Sequence, residues 1–140
     1  MRLAPPLLAL LLLAGCDLLD RPPLERTYGA PYDFFVETAP GPNGEGSPAP
    51  FLSEDGVLHV TVRYTGGCAE HTFRLETELT DAVATVWLVH EDDGDTCEAL
   101  LMNHLRIRLS NAVLARPRIV LAAPAGEGIV LRDLASGASP

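Results

Sequence analysis

Four side chains near the middle of this 140-residue chain carry atoms that can do chemistry. Cys68 and His71 lie in Gly66-Gly67-Cys68-Ala69-Glu70-His71; His90 and Cys97 lie in His90-Glu91-Asp92-Asp93-Gly94-Asp95-Thr96-Cys97-Glu98. Oxidised, the two sulfurs join as a disulfide if their Cα atoms come within about 7 Å. Reduced, two thiolates and two imidazoles suit tetrahedral zinc or copper(I), with Cys68-x-x-His71 at ordinary ligand spacing and His90-x6-Cys97 looser. A disulfide beside a histidine-only site is the hybrid. The acidic run Glu91-Asp92-Asp93-Gly94-Asp95 raises calcium, but it lacks the twelve-residue spacing of an EF-hand loop. A solvated turn is the simpler expectation there, and for His71 a hydrogen bond to a turn carbonyl.

These groups must be positioned by strands. Residues 57–65, 70–79, 83–91 and 98–109 each show β patterning, and short turn signals separate them. Leu58, Val60, Val62 and Tyr64 alternate with His59, Thr61, Arg63 and Thr65; Phe73, Leu75 and Leu79 alternate with Arg74, Glu76 and Glu78. One apolar and one wet face is the pattern of a sheet packed on one side. Residues 83–91 are apolar on both faces, with Trp87 expected in the core, and Leu105, Ile107 and Leu109 face in while Arg106 and Arg108 face out. Short links predict an antiparallel meander. Alternating direction then brings the turns carrying Cys68 and Cys97 to one end, with His71 and His90 beside them. His59 and His104 fall on wet faces, and Arg63, Arg74, Arg106 and Arg108 are expected to pair with Glu76, Glu78 and other acids.

Tyr32 to Glu37 adds a short aromatic strand, residues 39–50 a Gly/Pro-rich flexible loop, and Asn111 to Arg116 a connection with one helical turn. Pro117 to Ala123 and Glu127 to Leu134 add two more strands around the turn Pro124-Ala125-Gly126. The expected fold is all-β: an antiparallel β-sandwich of about seven strands, with an immunoglobulin-like layout as one form of it. The Cys68–Cys97 spacing is too short for the inter-sheet disulfide of antibody domains.

The amino terminus predicts a location. Met1-Arg2, an apolar run from Leu3 to Leu13 and Ala14-Gly15 form a signal peptide over residues 1–15, too short to span a membrane as a helix. Leu13-Ala14-Gly15-Cys16 resembles the lipobox of bacterial lipoproteins. That resemblance implies cleavage before Cys16 and a diacylglycerol on its sulfur, the family's usual lipid, palmitate among its acyl groups, supplying at least two chains, enough for a stable anchor. Asp17 resembles an inner-membrane retention signal whose rule differs between bacterial groups. Residues 16–31 are then the lipidated terminus and a Pro-rich tether, residues 32–134 the domain, and residues 135–140 a frayed tail.

With Cys16 lipidated, two cysteines remain, and an even count in an extracytoplasmic protein favours the Cys68–Cys97 disulfide. Closing a loop of about 30 residues stabilises a fold by roughly 3–4 kcal/mol in the chain-entropy model. The formal net charge is −9, from ten arginines, no lysine and 19 acidic residues. That balance argues against nucleic acid and against electrostatic adhesion to anionic lipid. There is no Gly-x-Ser-x-Gly elbow, phosphate loop, His-Glu-x-x-His or Cys-x-x-Cys, so no enzyme is expected. A thiol nucleophile at Cys68 with His71 is a distant third reading. Asp-Gly-Asp-Thr-Cys-Glu resembles the excalibur calcium-binding motif in composition but not in spacing. Over residues 57–109, Gly-Gly-Cys-x-x-His with His-x5-Thr-Cys-Glu resembles small uncharacterised bacterial lipoproteins, which implies fold and location rather than activity. The reading is a lipid-anchored, extracytoplasmic binding or structural module of the cell envelope. The alternative is a zinc- or copper-binding envelope protein using Cys68, His71, His90 and Cys97.

Overall fold

Alternation of apolar and polar residues is realised as strands over almost the whole domain. The computed structural model describes residues 26–29, 34–38, 48–124 and 128–135. Eight strands are present among them: β1 (Phe35–Val36), β2 (Phe51–Leu52), β3 (Val57–Gly66), β4 (Thr72–Leu79), β5 (Val83–Glu91), β6 (Ala99–Arg108), β7 (Arg118–Ala122) and β8 (Ile129–Asp133). Between β6 and β7 lies one helical turn, α1 (Asn111–Leu114), whose N-cap Ser110 accepts a hydrogen bond from the Val113 amide. Arg132 closes its other end, donating to the carbonyls of Leu114 and Arg116.

The strands form two four-stranded sheets, and the fold is an all-β sandwich. In the first, β3 pairs antiparallel with β6 along one edge and with β1 and β2 along the other. The second runs β4-β5-β7-β8, and its β5–β7 pair is parallel. Between the sheets lie Leu58, Val60, Val62 and Tyr64 of β3, Ala84, Val86 and Leu88 of β5, and Ile119 and Leu121 of β7. Phe34 completes this core, with Val113 of α1 and Leu109.

Two expectations are corrected. The four central strands are not a meander, because β3 pairs with β6 while β4 pairs with β5 in the other sheet. Among these four strands the chain crosses between layers twice, after β3 and after β5, and it crosses again after β6. The physical reason is coverage. A meander would leave the apolar face of four long strands to be covered by β7 and β8, each five residues long. Dividing the long strands between layers lets them bury one another. The sheets are also not wholly antiparallel, since β7 returns beside β5 in the same direction through α1. Trp87 is a buried core residue, as expected, at 4% exposure, on the side of β5 away from the cluster between the sheets. It points to the outer side of β5, where the Arg26 guanidinium stacks over its ring at 5.6 Å.

Arg26 to Gly29, assigned by sequence to the tether, lie on the second sheet. The Tyr28 carbonyl accepts from the His90 amide, and Gly29 bridges His90 on the edge of β5 beyond the end of β7. Gly29 has φ +110°, and a Cβ there would sit 1.7 Å from the His90 carbonyl oxygen, so only glycine fits. Of the loop 39–50, residues 48–50 are described and lead into β2, a two-residue strand unmarked by any alternation.

Leu58→Ala should destabilise the domain by about 2–5 kcal/mol, because it empties a fully buried position, whereas Leu100→Ala, 67% exposed, should stay within about 0.5 kcal/mol. Urea unfolding of the two variants beside the parent chain measures both.

Candidate functional site

Antiparallel strands reverse direction whichever sheet they occupy, so the β3–β4 and β5–β6 crossovers fall at the same pole. Cys68 and Cys97 meet there as a disulfide, with Cα atoms 5.8 Å apart. Cys68 is exposed, Cys97 partly so, and the bond ties together the two segments that carry the chain between layers.

Beneath the bridge sits Asp95, whose carboxylate no simple reading of an acidic turn would bury. Its Oδ2 accepts from the backbone amides of Gly67 at 2.7 Å, Cys68 at 2.8 Å and Ala69 at 2.9 Å. Its Oδ1 accepts from the Cys97 amide at 2.8 Å. These are donors of the two crossovers, which no ladder satisfies, and consecutive amides in such a turn form a nest for an anion. The occupant is the chain's own side chain. The nest holds the Asp95 carboxyl far below the ordinary carboxylate range, chiefly through the Cys97 amide, then those of Ala69 and Cys68 and the His71 ring, against the opposing cost of burial.

His71 Nε2 lies 2.9 Å from Asp95 Oδ2, and His71 Nδ1 lies 2.9 Å from His90 Nε2. A carboxylate only accepts, so His71 carries its proton on Nε2. With both rings neutral, its Nδ1 accepts from Nε2–H of His90. The row carboxylate–imidazole–imidazole runs inward from the pole. Tyr64 packs on both rings, Phe73 stacks on His90 at 4.4 Å between centroids, and Phe34 meets His90 edge-on. Gly66 makes room for the row: a Cβ there would lie 2.1 Å from His71 Nε2, and its φ is +154°.

An aspartate–histidine pair resembles the orienting half of a nucleophilic site, but here the row leads nowhere a substrate reaches. The His71 side chain is 3% exposed, that of Asp95 fully buried, and His90 is 1% exposed. It is a buried polar pin joining β3, β4, β5 and the two crossovers.

The structure thus brings Cys68, His71, His90 and Cys97 to one end, as expected, but in different roles. The sulfurs bond each other, and His71 binds Asp95 and His90 rather than a turn carbonyl. The acidic turn is not merely solvated. Asp92 and Asp95 are buried, and Asp92 Oδ1 accepts from the Gly94 amide. Asp93, with φ +51°, and Gly94 turn the chain between them. Asp95 was the residue missed. Its signal is local: an acid two residues before one half-cystine and a Gly-Gly pair before the other. Cys16, the expected lipidation site, lies outside the described residues.

A second candidate surface is the outer face of the first sheet. Phe35, Phe51, Leu100 and Met102 are exposed there at 54%, 43%, 67% and 63%, interspersed with Arg63, Arg106, His59 and His104. Phe51 stacks on His59 at 4.5 Å, and His104 Nδ1 lies 3.0 Å from the buried Thr61 hydroxyl, so neither imidazole is simply solvent-facing. Phe35, Val36, Glu37, Thr38, Arg63 and Leu100 line an open cleft of about 540 Å³. The arginines are partly paired: Arg63 with Glu37 at 2.8 Å, Arg74 with Glu76 and Glu91, and Arg108 with Asp55 at 3.4 Å.

Two measurements follow. Cys68→Ser and Cys97→Ser should each cost about 3–4 kcal/mol, and the double variant little more, because one bond is lost in every case. Chemical unfolding of the three variants checks this. The depressed Asp95 pKa means that its carboxylate stabilises the fold in full above the ordinary aspartate pKa of about 3.9 and progressively less as pH falls below it. Melting temperature against pH should therefore show an acid limb below about pH 4 that Asp95→Asn flattens and Asp93→Asn leaves in place. Comparisons with family models, curated proteins and solved structures find no match to this chain.

Proposed function

We propose that the chain is a lipid-anchored, extracytoplasmic module of the bacterial cell envelope that binds or supports a partner rather than transforming one. The observation that carries this reading is the Cys68–Cys97 disulfide, a bond that persists in oxidising compartments. The lipobox residues Leu13-Ala14-Gly15-Cys16 supply the anchor in this reading, and the buried Asp95–His71–His90 row supplies rigidity. The binding surface is the outer face of the first sheet, where exposed aromatic, aliphatic and thioether groups stand among arginines. Apolar patches rimmed by polar groups on an otherwise acidic protein mark interaction sites.

The metal-binding alternative has one observation in its favour. Cys68, Cys97 and Asp95 offer donor atoms within 4.8 Å of one another, though only a reduced chain presents thiolates. Zinc added to the oxidised protein should leave its melting temperature unchanged, and a chelator likewise; a rise with zinc after reduction would favour this alternative.

The anchor is tested by feeding cells a labelled palmitate. The parent chain should take up the label and sediment with membranes, and Cys16→Ala should abolish the first and release the protein into the soluble extracytoplasmic fraction. Label or membrane retention surviving in Cys16→Ala would refute the reading.

A further inference from the structure

β6 is a ten-residue strand with an unbroken register to β3, from Val57↔Arg108 to Gly66↔Ala99, and no partner on its other edge among the described residues. Long regular edges invite pairing, and monomeric proteins guard them. The other edges here are guarded: β1 and β2 are two residues long, β8 five, and β4 alternates Arg74, Glu76 and Glu78 on its outer side. β6 instead divides its outer side into an apolar half, Leu100 and Met102, and a cationic half, Arg106 and Arg108, with His104 between them and Glu98 just before the strand. Its inward-facing side reads Leu101, Asn103, Leu105, Ile107. Asn103 is the anomaly, an exposed amide in an otherwise apolar row.

The geometry points to a second copy of this chain as the occupant of that edge, paired antiparallel through β6 about a twofold axis at Asn103. Antiparallel neighbours stand opposite one another on the same face, so the axis must pass through a residue, not between two. Centred on Asn103, the register sets Asn103 against Asn103, Leu101 against Leu105, Met102 against His104, Leu100 against Arg106, and Arg108 against Glu98 of the second copy. The apolar half of each strand then covers the cationic half of the other, no like charges face each other, and two Arg108–Glu98 pairs close the ends. Arg108 also holds the Asp55 carbonyl through Nη1 in the single chain, and its five donors suffice for both partners. Moving the axis to residue 102 or 104 sets Asn103 against Leu101 or Leu105, an amide against an apolar side chain. Only the Asn103 axis gives that amide a partner with matching donor and acceptor. Such a contact is isologous and closes as a dimer, and it extends the outer face described above into one continuous surface. It holds whatever that face binds.

The test uses full-length chain in the membrane, oxidised without added cross-linker, with the parent chain as baseline for Cys16. Asn103→Cys should give a disulfide-linked dimer at least tenfold above Leu105→Cys, which faces Leu101 rather than itself, and above Thr77→Cys on the β4 edge. Adding Glu98→Arg to Asn103→Cys should lower that yield, and Arg108→Glu in the same chain should restore it. An intact Cys68–Cys97 bond, read by peptide mass, certifies that each variant is folded. Independently of any substitution, the parent chain in mild detergent should sediment as a dimer. A monomeric parent chain, equal yields at positions 77, 103 and 105, or an Asn103→Cys cross-link to a different protein would overturn the proposal.

Discussion

A single carboxylate holds the two layers of this domain in register. Every chain that crosses from one sheet to another leaves backbone amides outside the ladders, and burying them unpaired is expensive. Asp95 collects such amides from both crossovers, three from the β3–β4 segment and one from the β5–β6 segment, and adds the ring of His71. The disulfide spans the same two segments covalently. The noncovalent and covalent ties are complementary: the bridge limits how far the crossovers separate when the chain unfolds, and the carboxylate fixes their geometry when it is folded. A charge buried with that many donors costs less than the unsatisfied amides it replaces.

That arrangement turns the chemically capable side chains of the pole toward one another. The sulfurs are joined, both nitrogens of His71 are engaged, and aromatic rings pack against both imidazoles. The available surface lies instead on the flank of the first sheet. There Thr61, buried under the outer face, holds His104, and Phe51 braces His59, so the polar groups of that face are positioned rather than waving in water.

Much of the architecture was legible because it follows from period. Strict alternation in β3 and β4 and two-sided apolarity in β5 are properties of single strands, and the pole shared by Cys68 and Cys97 follows from counting reversals. Three things were not legible. Which strand bonds to which depends on how much apolar face each layer must cover, a property of the whole set of strands rather than of any one. The role of Asp95 depends on amides some 27 positions away in the chain, so its local signal, an acid before one half-cystine and Gly-Gly before the other, acquires meaning only once the two sulfurs are paired. Residues such as Arg26 and Tyr28 sit in a segment whose composition describes a linker, and only the outward-facing indole of β5, which Arg26 covers, and the His90 amide, which donates to Tyr28, give them a place to dock.

The bond between Cys68 and Cys97 also changes the order in which the molecule can assemble. The β3–β6 ladder joins Val57 to Arg108 across an interval that contains the entire β4–β5 hairpin, and closing so long an interval from an open chain is entropically slow. Once the sulfurs have joined, only Gly67, Cys68, Cys97 and Glu98 separate Gly66 from Ala99. Two strands distant in sequence become the arms of a covalent hairpin, and their ladder zips from the bridged pole toward Val57 and Arg108. An oxidant encountered early therefore turns the longest-range strand ladder among the described residues into one of the nearest.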